Sequence, residues 1–191
     1  MNKRKRTITF NAPAVLWFVI LCFGAMILNA LTGGLTNRLL FSTYRASLLN
    51  PLTWLRLFTH VFGHVSWQHF IGNMTYILLL GPMLEEKYGW RRLIGVMAVT
   101  AGITGVVHTV LFPGAALCGA SGIVFAFILM TSFTGFREGE LPVTVILTAA
   151  VFIGQQVYEG IFVRDNVSNL THILGGAVGG VTGYMLNRRK R

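Results

Sequence analysis

Four polar side chains with chemical capability stand inside otherwise apolar stretches: His69, Asn73, Ser121 and His172. A serine hydroxyl beside an imidazole can act as a nucleophile with its base. His69 and Asn73 are spaced i,i+4, so on a helix they point the same way. Each also has a plain structural reading. Ser121, set between glycines in "LCGASGIVFAF", can be a packing residue bonded back to its own helix. His172 can be a structural hydrogen-bonding group, and His69 with Asn73 can tie down a long loop.

The elements that must position these groups follow from composition. The chain has 191 residues, 53% hydrophobic and only 12% charged. A soluble domain carries about twice that charged share, so the solvent for this chain is a lipid bilayer. Six apolar windows are long enough to cross one: residues 12–31, 65–84, 93–112, 117–136, 141–158 and 167–186. The runs are continuous and do not alternate, which predicts helices rather than a barrel. The fold class is therefore all-α, a compact bundle of six transmembrane helices. Residues 1–11 and 187–191 form basic tails, and residues 12–186 form the core.

Gly81-Pro82 is expected to close the second span, Pro113-Gly114 to turn between the third and fourth, and Pro142 to open the fifth. The long connection from Thr32 to His64 places Leu35, Leu39, Leu40, Tyr44 and Leu48 on one helical face, and is expected to lie on or dip into the outer leaflet. The retained first span is too long for a signal-peptide core.

The net charge of +10 comes largely from Lys3-Arg4-Lys5-Arg6 and Arg188-Arg189-Lys190-Arg191. With Lys87, Arg91, Arg92 and Arg137 these fall on the side of the N-terminus, while Arg38, Arg45, Arg56 and Arg164 fall opposite. The bias places both termini in the cytoplasm, most simply at the plasma membrane. Aromatic and basic residues do not interleave, so nucleic acid is not an expected partner. Cys22 and Cys118 form no disulfide framework. His60 and His64 have a spacing compatible with a metal, but no Cys, Asp or Glu stands near to complete a site. Neither metal nor cofactor is expected, and His60, His64 and His108 read as hydrogen-bonding core histidines.

All six acidic residues, among them Glu85 and Glu159, are expected in connections and none in a span. The second, fourth and sixth spans run in the same direction, so His69, Asn73, Ser121 and His172 fall at one depth near the outer face, about one to two turns into their helices. His172, Gly175, Gly179 and Gly183 form one stripe, and small faces let membrane helices approach closely. Docking that stripe on the small surface of Gly119, Ala120, Ser121 and Gly122 would bring Ser121 to His172, a nucleophile with its base.

"GASG" at the fourth span, "HVFGHVSWQHFIGN" entering the second and "THILGGAVGG" in the sixth resemble the rhomboid family of intramembrane serine proteases. The resemblance covers nearly all of the core. It implies Ser121 as nucleophile and His172 as general base. It implies an oxyanion hole from the Ser121 backbone N–H with the side chains of His69 and Asn73, packed about by Gly119, Gly122, Phe125 and Gly175. The expected substrates are transmembrane proteins, cut near the outer face and entering between the second and fifth spans, where Gln155, Gln156 and Tyr158 would form the rim. Phe125 stands where many relatives have a tyrosine stacked on the histidine, Thr171 where alanine is common, and Trp54-Leu55-Arg56 carries the first-loop tryptophan–arginine pair with one residue between. The rival reading is a non-catalytic rhomboid-like binder of membrane proteins, or a small channel or transporter, though the paired halves of a transporter are not visible.

Overall fold

The computed structural model describes residues 10–135, 142–162 and 166–188, with all of their side chains but those of 159–161 and 166–168. Lys3 to Arg6, Arg189 to Arg191, Arg137, Glu138, Glu140, Arg164 and Asp165 lie outside the described residues, as does the Glu159 side chain. The described residues form eight helices: α1 (Pro13–Leu31), α2 (Leu35–Leu40), α3 (Pro51–Thr59), α4 (Trp67–Tyr88), α5 (Trp90–Leu111), α6 (Ser121–Ser132), α7 (Val143–Phe162) and α8 (Asn166–Arg188). Six of them, α1 and α4 through α8, match the six expected spans. The bundle wears its apolar residues outward as well as inward. Trp17, Leu79, Val110 and Val151 are each more than half exposed, as lipid-facing residues should be.

Three boundaries differ from expectation. Helix α4 does not stop at Gly81-Pro82 but runs through Pro82 to Tyr88 and ends at Gly89, whose φ of 85° suits glycine. One proline removes only one helical hydrogen bond, and packing can hold the rest of the helix together. Gly81 explains part of that packing, because any side chain there would strike Val15 of α1.

The continued helix carries Glu85 into the interior, where it is 5% exposed. Its two carboxylate oxygens accept the Ala14 and Val15 backbone N–H groups at 3.0 Å each. The expectation that every carboxylate falls in a connection is thus corrected. Glu85 supplies the cap that the start of α1 lacks, since no side chain of α1 itself caps it. The first N–H groups of a helix need acceptors and favour negative charge.

The long connection is not one amphipathic helix. It breaks after α2, and Thr43 pairs with Leu117 in an isolated antiparallel bridge, with both N–H···O distances 2.9 Å. It then forms α3 and a single 3₁₀ turn at His60–Phe62. This loop is a clamp rather than a surface float. Arg56, 2% exposed, donates to the Tyr44 hydroxyl at 2.9 Å while its guanidinium covers the Tyr44 ring, and it reaches Thr53 as well. Trp54 donates to the Leu48 carbonyl. Gly105 lets the α3 backbone sit directly on α5, since a methyl there would lie 2.6 Å from the Leu57 carbonyl oxygen.

Helix α6 has only 12 residues, about 18 Å at 1.5 Å per residue, against roughly 30 Å of hydrocarbon. The expected span 117–136 is therefore helical only from Ser121, which is the first residue of its helix rather than one turn in. Residues 117–120 run non-helically because Leu117 is engaged by Thr43, and Gly119 takes a φ of 135° that side chains avoid.

Candidate active site

The loop before Ser121 is held from three directions. Thr43 grips Leu117, and the Gly119 N–H donates to the His60 carbonyl at 2.9 Å. On the far side, His108 Nε2–H donates to the Ala115 carbonyl at 3.0 Å. His60 is itself fixed: Nδ1–H donates to the Arg56 carbonyl at 3.2 Å, and Nε2 lies 3.4 Å from the Thr104 hydroxyl on α5. His64 Nδ1–H donates to the Phe62 carbonyl, and its ring meets His69 edge-on at 5.1 Å. Burial pushes the imidazole pKa of both His60 and His64 down to about 4, with His69 adding to the effect at His64. Both are therefore neutral hydrogen-bonding groups, and among the described residues no three potential metal ligands cluster.

Helix α4 brings His69 and Asn73 to this loop. Ser66 caps the helix by accepting the His69 N–H, which fixes the start of the turn that carries the imidazole. A methyl on Gly119 would lie 2.6 Å from His69 Cε1, 2.9 Å from His69 Nε2 and 3.8 Å from Asn73 Nδ2. Both side chains therefore stand against the backbone two residues before Ser121. Asn73 is buried, and its Nδ2 has no hydrogen-bond partner among the described residues. A buried unpaired donor costs about 1–3 kcal/mol, so its retention beside a serine is informative.

Helix α8 brings His172. A methyl on Gly175 would sit 2.1 Å from the Gly122 carbonyl oxygen, and one on Gly179 would sit 2.0 Å from that of Ala126. Gly183 meets Met130 and Phe133 in the same way. The glycine stripe of α8 thus lies on the backbone of α6 along Gly122, Ala126 and Met130. The expected partner surface, Gly119 to Gly122, is divided: Gly122 faces α8, whereas Gly119 faces α4. Thr171 packs its methyl toward Gly122, within reach of ordinary contact. The His172 ring lies on the Phe125 ring, with centroids 4.3 Å apart and planes at 39°. Ser121 and Phe125 are i,i+4 on one face of α6, so His172 is held beside the face that carries the Ser121 hydroxyl.

Helix α7 adds a residue that the sequence reading placed elsewhere. Gln156 is not a gate-rim residue. It is 3% exposed, and its Oε1 accepts the His172 Nδ1–H at 3.1 Å. Gln156 lies four residues after Phe152, whose ring meets Phe125 at 4.8 Å. That i,i+4 relation to a core aromatic was the signal available in the sequence. Tyr158, 60% exposed, does face outward. Helix α7 leans on α6 and α8 and hardly touches α4 among the described residues.

The chemistry open to this arrangement is acyl transfer. A hydroxyl at a helix start is flanked by an imidazole on one side and by two nitrogen-bearing side chains on the other. The Gly119 N–H is already committed to His60, whereas the Ser121 N–H, at the first helical position, has no intrahelical acceptor and lies beside the hydroxyl.

Residues 51–189 match the model of the Rhomboid domain. Over 190 residues, 97% of this chain and 68% of the relative, the chain is 28% identical to the rhomboid protease GlpG of Salmonella typhi. The same identity and coverage hold for the rhomboid protease GlpG of Salmonella newport and of Salmonella typhimurium.

Proposed function

The chain belongs to the rhomboid family, and from that premise we propose that Ser121 and His172 form a catalytic dyad that cuts transmembrane segments of other membrane proteins near the outer membrane face. It is an integral membrane protein and a serine-type intramembrane protease, as its family and its likeness to rhomboid protease GlpG indicate. The observation that carries the dyad is the convergence on one helix start. His69 and Asn73 lodge against Gly119 just before Ser121, while the His172 ring packs against Phe125 one turn after it.

In this reading Ser121 Oγ attacks the scissile carbonyl while His172 Nε2 takes its proton. Negative charge develops on the carbonyl oxygen. The Ser121 N–H, the Asn73 amide and the His69 ring hold it, each donor being worth about 3–4 kcal/mol in such sites. The tetrahedral species collapses as His172 returns the proton to the leaving amine. Water then enters from the outer side, loses its proton to His172 and hydrolyses the ester on Ser121. The unpaired Asn73 Nδ2 supports this assignment, because a donor without a ground-state partner is free for the transition state.

The core spans residues 12–186, with both basic tails on the cytoplasmic side of the plasma membrane, as the distribution of lysine and arginine favours. Substrate enters beside α7, where contact with α4 is sparse. The test is cleavage of a helical reporter substrate by purified protein. Ser121→Ala and His172→Ala should each insert normally and cut nothing. Cleavage by purified Ser121→Ala would overturn the proposal.

A further inference from the structure

We propose that Gln156 is a positioning residue that fixes the His172 imidazole through Nδ1, filling from α7 the place that a carboxylate takes in three-residue serine sites. The inference rests on the dyad reading above. It begins from what stacking alone can do. Phe125 packs against one side of the His172 ring at a tilt of 39°, but a ring held only by such a contact still turns and flips. The in-plane direction and the tautomer are set by the partner of the second ring nitrogen.

Gln156 is that partner. Its Oε1 lies 3.1 Å from His172 Nδ1, and the residue is 3% exposed, so water does not compete for the contact. An amide oxygen only accepts, so Nδ1 must carry the proton and Nε2 must hold the lone pair. That is the tautomer a general base toward Ser121 requires. The opposite amide orientation would donate to Nδ1 and leave Nε2 protonated, which is useless for the chemistry. When the ring gains its second proton, the same oxygen stabilises the cation that forms.

The support around Gln156 is rigid. Phe152, one turn earlier on α7, packs on Phe125 and closes against Gly176 of α8, where a methyl would lie 2.7 Å from its ring. Phe152 and Gln156 therefore approach the Phe125–His172 pair from one helix face, one fixing the stack and the other the rotation. Gln156 Nε2 has no hydrogen-bond partner among the described residues. An apolar side chain would fill the volume without that penalty, so packing does not account for the glutamine. A carboxylate does not compete for the position, since the buried one among the described residues, Glu85, is engaged at the start of α1. Among the described residues, the titratable groups around the start of α6 include His69 from α4, His60, whose carbonyl holds Gly119, and Cys118 in the preceding loop, and all three are unchanged in the variants below.

The experiment compares Gln156→Met and Gln156→Glu with the unaltered protein on a helical reporter, measuring kcat, KM and the pH dependence of kcat/KM. The methionine fills the space without an acceptor. It should lower kcat by about 10- to 100-fold with KM nearly unchanged. Its acid limb should move to lower pH, because the imidazolium has lost its acceptor. The glutamate keeps an acceptor oxygen at the same reach. It should recover most of the turnover and place the acid limb above that of the methionine variant. A thermal unfolding midpoint measured on each variant separates misfolding from misalignment. A folded Gln156→Met enzyme with unaltered kcat and acid limb overturns the inference, as do two variants equally slow with an unmoved acid limb. Ser121→Ala is run alongside: if it still cuts, the dyad reading itself fails, whereas if it is dead and Gln156→Met is normal, only the role of Gln156 fails.

Discussion

Replacing Gly175 by alanine tests whether the backbone contact between α6 and α8 sets the catalytic geometry. The added methyl would lie 2.1 Å from the Gly122 carbonyl oxygen and 2.7 Å from its carbonyl carbon. Carbon–oxygen contacts settle at about 3.3 Å or more, so α8 must retreat from α6 by about 1 Å. Neither obstacle is the tip of a flexible side chain, so the helix itself has to move. His172 stands three residues earlier on the same face, and its ring moves with it away from Ser121. A displacement of that size costs on the order of 100-fold in rate. Overpacking costs about 1–3 kcal/mol of stability, offset by about 1 kcal/mol from the better helix propensity of alanine. The assay is kcat on a helical reporter together with the thermal unfolding midpoint in detergent. Gly180→Ala is the control, because its methyl would meet nothing closer than Phe133 at 4.0 Å, and it should keep full activity. Unaltered kcat and midpoint in Gly175→Ala would refute the reasoning.

Glu85→Gln should lower the unfolding midpoint, since an amide can accept from only one of the Ala14 and Val15 N–H groups well; the cost is about 1–3 kcal/mol, and an unmoved midpoint would remove Glu85 as the cap of α1. His60 and His64 have pKa values pushed down to about 4 by burial, so below the ordinary value of about 6.5 the unfolded chain takes up protons that the folded chain refuses. Stability should be complete above that pH and fall as pH drops toward 4, by up to about 3 kcal/mol for each histidine; thermal melts from pH 7.5 to 4.5 measure it, and a flat midpoint would contradict it. Asn73→Ala should reduce kcat by about 100- to 1,000-fold with little change in KM, because the amide acts on charge formed only in the transition state; steady-state kinetics with an unchanged kcat would take Asn73 out of the oxyanion hole.

Much of the fold was legible because bilayer length and hydropathy leave few choices. The six spans and the glycine stripe of α8 follow from apolar run length and from i,i+3 or i,i+4 spacing, whereas the packing of Phe125 against His172 follows from the resemblance to the rhomboid family. What the sequence hid depended on distant partners. Local chemistry at Pro82 favours a stop, yet the helix, with Gly81 packed on Val15, runs on to Gly89. Glu85 followed as a hidden consequence, since its burial makes sense only once it meets the N–H groups of α1. Gln156 read as polar rim because it lies in the last turns of an apolar run, and its purpose appears only when His172 arrives from another helix. The grip of Thr43 on Leu117 leaves no periodic trace, because a single bridge has no pattern to read.

The dyad is tested most directly by labelling purified protein with a fluorophosphonate probe and locating the adduct by mass spectrometry. The account predicts a single phosphonylated residue, Ser121, with labelling lost in Ser121→Ala and strongly slowed in His172→Ala. Labelling at another residue, or an undiminished rate at Ser121 without His172, would contradict it.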